Sequence, residues 1–308
     1  MRRGQPARNR RIDHPGAEIG IEGVEIEVRL DRDLRNPISI SPVRLVVTGA
    51  GGMLGQDVVR AAGGDAVPLS HADLDVTDAA AVRAALAGAD VVVNCAAWTD
   101  VDGAESDPDG AMRVNRDGAR NVAEAAERVL YVSSDYVFDG RKRTPYVESD
   151  PTGPLSSYGR SKLAGEQATA EANGRHVIVR SSWLFGAGGG NFVETMLRLG
   201  SERDELRVVD DQVGCPTFTG HLAEAIVRLA QTAEYGIHHL AGSGRCSWYE
   251  FAREIFERSG VDCHVEPCTT EEYPLPAPRP AWSVLGSERG HSLPAWQDGL
   301  AAYLGVRA

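Results

Sequence analysis

The sequence is short of lysine, of positive charge, of paired cysteines and of long apolar runs, and each shortage excludes something. Lys142 and Lys162 are the only lysines, so where each falls is informative. Acidic residues outnumber basic ones by 44 to 32, for a formal charge of −12. That balance argues against a nucleic-acid partner, because phosphate backbones are bound by clustered Lys and Arg that release counterions. No apolar run approaches the roughly 18–20 residues that a membrane helix needs, so a soluble protein is expected. The cysteines (Cys95, Cys215, Cys246, Cys263 and Cys268) are odd in number and lack the spacing of a zinc site or a disulfide framework. They read as reduced thiols in a cytoplasm.

What is present is a chain of 308 residues, 42% hydrophobic, long enough for one large domain or two modest ones. Residues 1–42 open on a basic stretch with no hydrophobic segment behind it, so no secretory signal is expected in them. They read as a disordered N-terminal extension or as a start placed too early, although the alternation at 24–30 would suit a short strand. From Arg44 the pattern changes. Short apolar runs near 44–48, 66–69, 90–96, 129–134 and 176–182 alternate with Ala-rich helical stretches near 54–63, 79–88, 108–127 and 157–173. Strands interleaved with helices in this way imply right-handed crossovers and a buried parallel sheet. The expected class is α/β, with a Rossmann-type doubly wound parallel sheet over 43–183. Residues 184–308 are expected to form a smaller C-terminal lobe, mainly substrate-binding, with some return to the core. Its helices should lie near 191–201, 219–232, 247–258 and 295–304, with a strand near 237–241.

Directly after the first strand stands Thr48-Gly49-Ala50-Gly51-Gly52-Met53-Leu54-Gly55, opening a helix. Glycines there let the backbone approach a pyrophosphate, and the helix start offers unpaired N–H groups to it. Gly49, Gly52, Met53, Leu54 and Gly55 are therefore candidates for holding a dinucleotide. The second strand ends near Leu69-Ser70-His71 without an acidic residue to grip a ribose 2′-hydroxyl, which leans towards NADPH and leaves NADH open. Asp75 and Val76 are candidate adenine-side contacts; a turn or capping role for Asp75 is the plainer alternative.

Tyr158 and Lys162 are spaced i and i+4 in a helical stretch, so they share one face. An ammonium beside a phenol stabilises the phenolate, making the tyrosine a usable general acid for a carbonyl receiving hydride. Ser134 ends the preceding strand, where its hydroxyl can orient the same carbonyl oxygen. A surface tyrosine with a solvated lysine is the bland alternative, against which stands the glycine turn upstream.

With these residues in view the chain resembles the extended short-chain dehydrogenases and, within them, the dTDP-4-dehydrorhamnose reductase family. The resemblance runs from about Arg44 to the C terminus. It is carried by VTGAGGMLG at 47–55, NCAAWTDVDGAES at 94–106, VSSDYVFDG at 132–140, YGRSKLAGE at 158–166, RSSWLFG at 180–186, DDQVGCPT at 210–217 and PRPAWSVL at 278–285. It implies hydride transfer from NAD(P)H to the 4-keto group of a dTDP-linked sugar, with Ser134, Tyr158 and Lys162 catalytic. It places Ala96 and Ala97 beside the cofactor, and Trp183 by the sugar or nicotinamide. Thr99, Val101, Asp102, Cys215, Thr217 and Arg279 fall on the substrate side, where Arg279 could pair with a diphosphate. Asn115 matches a structural asparagine. Some relatives dimerise through magnesium held by glutamates; here the aligned positions carry Asp57, His221 and Gln297 or Asp298. Histidine is a poor magnesium ligand, so no metal is expected, and the chain would be a monomer or a homodimer. The same strings would serve ketoreductases of other deoxysugar or streptose-type pathways. The fold also carries non-catalytic regulatory subunits, against which Ser134, Tyr158 and Lys162 all speak.

Overall fold

The first strand, β1 (Leu45–Thr48), is buried at every residue because it has a neighbour on each side. β2 (Ala66–Leu69) and β3 (Val91–Asn94) pair with it in parallel, and β4 (Val129–Ser134) and β5 (His176–Ser181) extend the sheet beyond β3. The strand Gly236–His239 returns from the C-terminal part and pairs in parallel with β5, completing a six-stranded parallel sheet. The doubly wound architecture expected from the sequence is thus present. This computed structural model describes residues 44–307, so the extension or short strand expected at 1–42 lies outside the described residues.

The sheet is covered on both faces, which is why its strands read as unbroken apolar runs rather than alternating ones. On one face α1 (Met53–Ala62) and the helix Thr219–Ala230 bury Leu54, Val58, Leu222 and Ile226 against Val47, Val93 and Val179. On the other, α2 (Ala79–Ala85) and the helix Ala119–Ala125 bury Val82 and Val122 against Val46, Val92 and Val129. Starts are set locally: Asp78 accepts from the amides of Ala80 and Ala81, and Ser247 with Glu250 forms a reciprocal cap on the helix Trp248–Ser259.

The helical stretch expected at 108–127 is interrupted. Pro108–Met112 is α-helical, Arg113–Gly118 forms a π-helix, and Ala119–Ala125 resumes the α-helix. Asn115 sits in the π segment, fully buried, where its amide group accepts from Trp98 N–H (2.9 Å) and donates to Trp98 O (3.1 Å) and Ser161 Oγ (2.8 Å). It fastens the loop after β3 to the Tyr/Lys helix, the structural part that the resemblance implied.

The C-terminal part has its own core, built on Phe185, Val193, Phe251, Ile255 and Leu300. It also contains a parallel pair, Glu205–Val209 with His264–Cys268, that the sequence did not disclose. Glu205, Arg207, His264 and Glu266 are exposed there, so the apolar alternation is short and broken by charge. Among the described residues no helix is long and apolar enough to cross a membrane.

Candidate active site

The carboxyl edge of the sheet opens into a cavity of about 530 Å³ whose wall includes Gly49, Gly52, Met53, Leu54 and Gly55 at one end and Ser134, Tyr158 and Lys162 at the other. Residues separated by a hundred positions therefore meet in one cleft. The turn after β1 is fixed by Gly49, which has a φ of +68° and whose missing Cβ would lie 2.5 Å from the Ala96 nitrogen. Gly52 caps α1 without any side-chain hydrogen bond and is exposed, and it lines the cleft together with the first residues of the helix, Met53, Leu54 and Gly55. Amides, helix dipole and missing side chains together fit a pyrophosphate.

The Tyr/Lys helix, Ser157–Ala172, is capped by Ser156, whose hydroxyl accepts from the Gly159 amide. It packs directly on the end of β4: a Cβ at Gly159 would stand 2.3 Å from the Tyr136 carbonyl oxygen. This closeness brings Tyr158 beside Ser134. Burial pushes the Tyr158 phenol up to about 12, a hydrogen bond with Ser134 pulls it back, and the charge of Asp135 adds to the rise. Lys162 is 2% exposed, donates to the Val132 carbonyl at 2.7 Å and lies 4.3 Å from the centre of the Tyr131 ring. Burial brings its ammonium down to about 7, opposed by the Glu166 carboxylate. The downward pull on the phenol, which the spacing assigned to Lys162, comes here from Ser134.

Asp135 is the residue that sequence reasoning passed over. It is 2% exposed, lines the cleft and takes hydrogen bonds from Ser134 Oγ (3.1 Å) and Ser182 Oγ (3.2 Å). Burial raises its carboxyl to about 6, although hydrogen bonds from Ser283, Ser134 and Ser182 work against the rise. Between the unfolded value of 3.8 and about 6 the folded chain keeps a proton that the unfolded chain releases, so this group's contribution to stability falls as pH rises through that window. Denaturant titrations of wild type and Asp135→Asn at several pH values should show the wild type losing stability relative to the variant from about pH 4 to 6. The difference should be on the order of 2–3 kcal/mol, and parallel pH curves would refute it.

Trp183 has a φ of +48°, the only positive φ on a non-glycine among the described residues. Its ring stacks on Trp248 with centroids 3.4 Å apart and planes 3° apart, and both line the cleft. Holding a bulky residue in that region costs roughly 1–3 kcal/mol, and such strain clusters at ligand sites. Ala97, Thr99 and Val101 also reach the wall, as do Cys95 and Ser181, which stand within the 94–106 and 180–186 strings without having been singled out, and Gly188–Gly190, which carried no sequence signal.

A second cavity of about 710 Å³ shares Tyr136 and Trp248 with the first and is lined by Arg203, Arg207, Arg279, Phe192 and Tyr273. Arg279 makes a two-pronged pair with Asp102 (2.7 and 2.8 Å), while Asp102 also accepts from the Ala277 amide. Two residues expected to touch substrate separately thus hold each other at the cavity rim. Cys215 and Thr217 are 1% exposed and on neither wall; Thr217 Oγ1 donates to Cys215 O and accepts from the Gly242 amide, bracing the segment from inside. Asp75 accepts from Thr77 N and Oγ1, and Val76 is buried; neither lines either of these two cavities. Ala96 lies behind the wall, its amide donating to Asn94. Asp73, the nearest carboxylate after β2, accepts from the Ser70 amide and hydroxyl.

Known proteins resemble this chain in sequence and in fold. The family description "RmlD substrate binding domain" matches residues 43–307. The chain is 42% identical to a dTDP-4-dehydrorhamnose reductase of Mycolicibacterium smegmatis over 88% of this chain and 89% of that one. It is also 42% identical to the spore coat polysaccharide biosynthesis protein SpsK of Bacillus subtilis over 86% of this chain and 98% of that one. A solved dTDP-4-dehydrorhamnose reductase of Bacillus anthracis in complex with NADP is 38% identical, with a TM-score of 0.82 over 86% of this chain and 99% of that one. At this identity, with nearly the whole described fold in common, the chain belongs to the dTDP-4-dehydrorhamnose reductase family.

Proposed function

We propose that this protein reduces the 4-keto group of dTDP-4-dehydro-L-rhamnose to the hydroxyl of dTDP-L-rhamnose, using NADPH. The observation that carries this reading is the single cleft in which Ser134, Tyr158 and Lys162 lie on the same wall as the glycine turn. Gly49, Gly52, Met53, Leu54, Gly55 and Ala97 would hold NADPH, which would supply the hydride when bound. Tyr158 donates its proton to the carbonyl oxygen as negative charge develops there, which is the step that needs a positioned acid. Ser134 directs its hydroxyl at the same oxygen and fixes the carbonyl's orientation. Lys162 would hold the nicotinamide ribose, while the Ser134 hydroxyl, which pulls the phenol's pKa down, favours the phenolate left behind. Trp183 and Trp248 give the sugar a flat apolar wall. The 710 Å³ cavity takes the nucleotide: Tyr273 and Phe192 suit the base, and Arg203, Arg207 and Arg279 suit the diphosphate. Asp102 orients Arg279 for that contact. The reaction takes place in the cytoplasm, on a monomer or homodimer.

The test is NADPH oxidation by purified protein with dTDP-4-dehydro-L-rhamnose, compared with 4-keto-6-deoxy sugars of other stereochemistry and with the UDP-linked sugar. Turnover should be highest with dTDP-4-dehydro-L-rhamnose. A preference of tenfold or more for another 4-keto sugar would reassign the substrate; failure with all of them would reject the reading.

A further inference from the structure

Away from both cavities, three residues distant in sequence bring metal-type donors together. His238 is fully buried on the edge strand Gly236–His239, Glu234 precedes that strand, and His291 belongs to the segment leading into the helix Trp296–Arg307. One ligand atom from each lies within 4.8 Å of the other two. The hydrogen bonds fix which atoms face inward. His238 Nε2 is 3.0 Å from the main-chain oxygen of Glu234; a carbonyl only accepts, so Nε2 carries the hydrogen. In the neutral ring Nδ1 then presents a lone pair, and it stands 2.9 Å from His291 Nε2. Metal-binding imidazoles are held in this way, one nitrogen turned to the ion and the other N–H tied to a carbonyl oxygen. A Glu234 carboxylate oxygen lies 4.0 Å from His291 Nε2. A small cavity of about 190 Å³, lined by Glu234 and His291, leaves room for a water.

We propose that Glu234, His238 and His291 form a site for a zinc-type divalent cation, clasping the segment around His291 to the edge of the sheet. Two imidazoles and one carboxylate with an open fourth position match zinc, whereas magnesium and calcium take oxygen ligands. Zn–N bonds of about 2.0–2.1 Å at a tetrahedral angle need the two nitrogens roughly 3.3 Å apart. That opening of a few tenths of an ångström is within reach of His291, whose side chain is 24% exposed. Arg289 opposes a cation, since its charge reaches His238; the Glu234 carboxylate offsets it. The spacing 234, 238 and 291 has no short-motif form, so the sequence alone did not announce it.

The test uses the full chain without a histidine tag, dialysed against chelator and then titrated with Zn²⁺ by calorimetry and with Co²⁺ by visible absorption. One equivalent of Zn²⁺ per chain and a tetrahedral Co²⁺ spectrum are expected. His291→Ala should weaken Zn²⁺ binding about a hundredfold, and Glu234→Gln about tenfold. NADPH-dependent turnover should be unchanged in both, because neither residue lines the two larger cavities. Glu234 is exposed, so its variant decides the matter even if His291→Ala fails to fold. Substoichiometric binding by wild type, or wild-type affinity in Glu234→Gln, would overturn the assignment.

Discussion

Tyr158→Phe should lower turnover about 10²–10⁴-fold, the usual weight of a positioned general acid, while NADPH affinity changes by less than about threefold. The substitution removes one oxygen and keeps the ring, which packs edge-on against Tyr136 with centroids 5.8 Å apart and planes at 78°. The wall of the cleft therefore survives, and so does the glycine turn. What is lost is the hydroxyl to which the proposed mechanism assigns proton delivery at the carbonyl oxygen. Single-turnover kinetics with saturating NADPH, paired with fluorescence titration of the cofactor, separates the two quantities. Wild-type turnover in the variant would remove Tyr158 from the mechanism.

Glu166→Leu should destabilise the fold by about 3–5 kcal/mol, the cost of stranding one partner of a buried ion pair. Glu166 lies one helical turn beyond Lys162 and accepts from Arg180 Nε (2.8 Å), Arg180 Nη2 (2.7 Å) and Ser133 Oγ (2.6 Å). Both charged side chains are under 5% exposed. The guanidinium also lies 5.1 Å from the centre of the Phe138 ring, and among the described residues its Nη1 has no hydrogen-bond partner. Without the carboxylate, a full positive charge stays in apolar surroundings with no counterion. The double variant Glu166→Leu/Arg180→Met should recover most of the loss, because replacing a whole buried pair by apolar groups is often neutral or better. Urea unfolding of the single and double variants measures this coupling. A cost below about 1 kcal/mol for Glu166→Leu would mean that water or another group compensates the guanidinium.

The fold was legible because its signals are local. Val91-Val92-Val93 reads as a buried strand in a chain that alternates such runs with helical stretches, and a glycine turn directly behind Leu45–Thr48 marks the first crossover. The Tyr/Lys pair was legible for the same reason, four residues apart on one helix. What stayed hidden depends on contacts across the chain. Trp248 joins the cleft only because Trp183, 65 positions earlier, turns back on a left-handed backbone to stack on it. Asp135 reads as one more acid in a loop until three serines from different segments surround it. Cys215 and Thr217 sit in a motif that looks like part of the site, yet their side chains point into the packing behind it. The π segment around Asn115 was equally silent, since an extra residue in a helical turn leaves the composition unchanged.

The claim on which the rest depends is that one cleft hands both a hydride and a proton to the same carbonyl. Turnover of the dTDP-linked 4-keto sugar with NADPH carrying deuterium at the transferable C4 position, in ordinary water, tests it directly. The sugar product should carry one deuterium, bound at its C4 carbon. Product without deuterium there, or label washed out into solvent, would contradict the account.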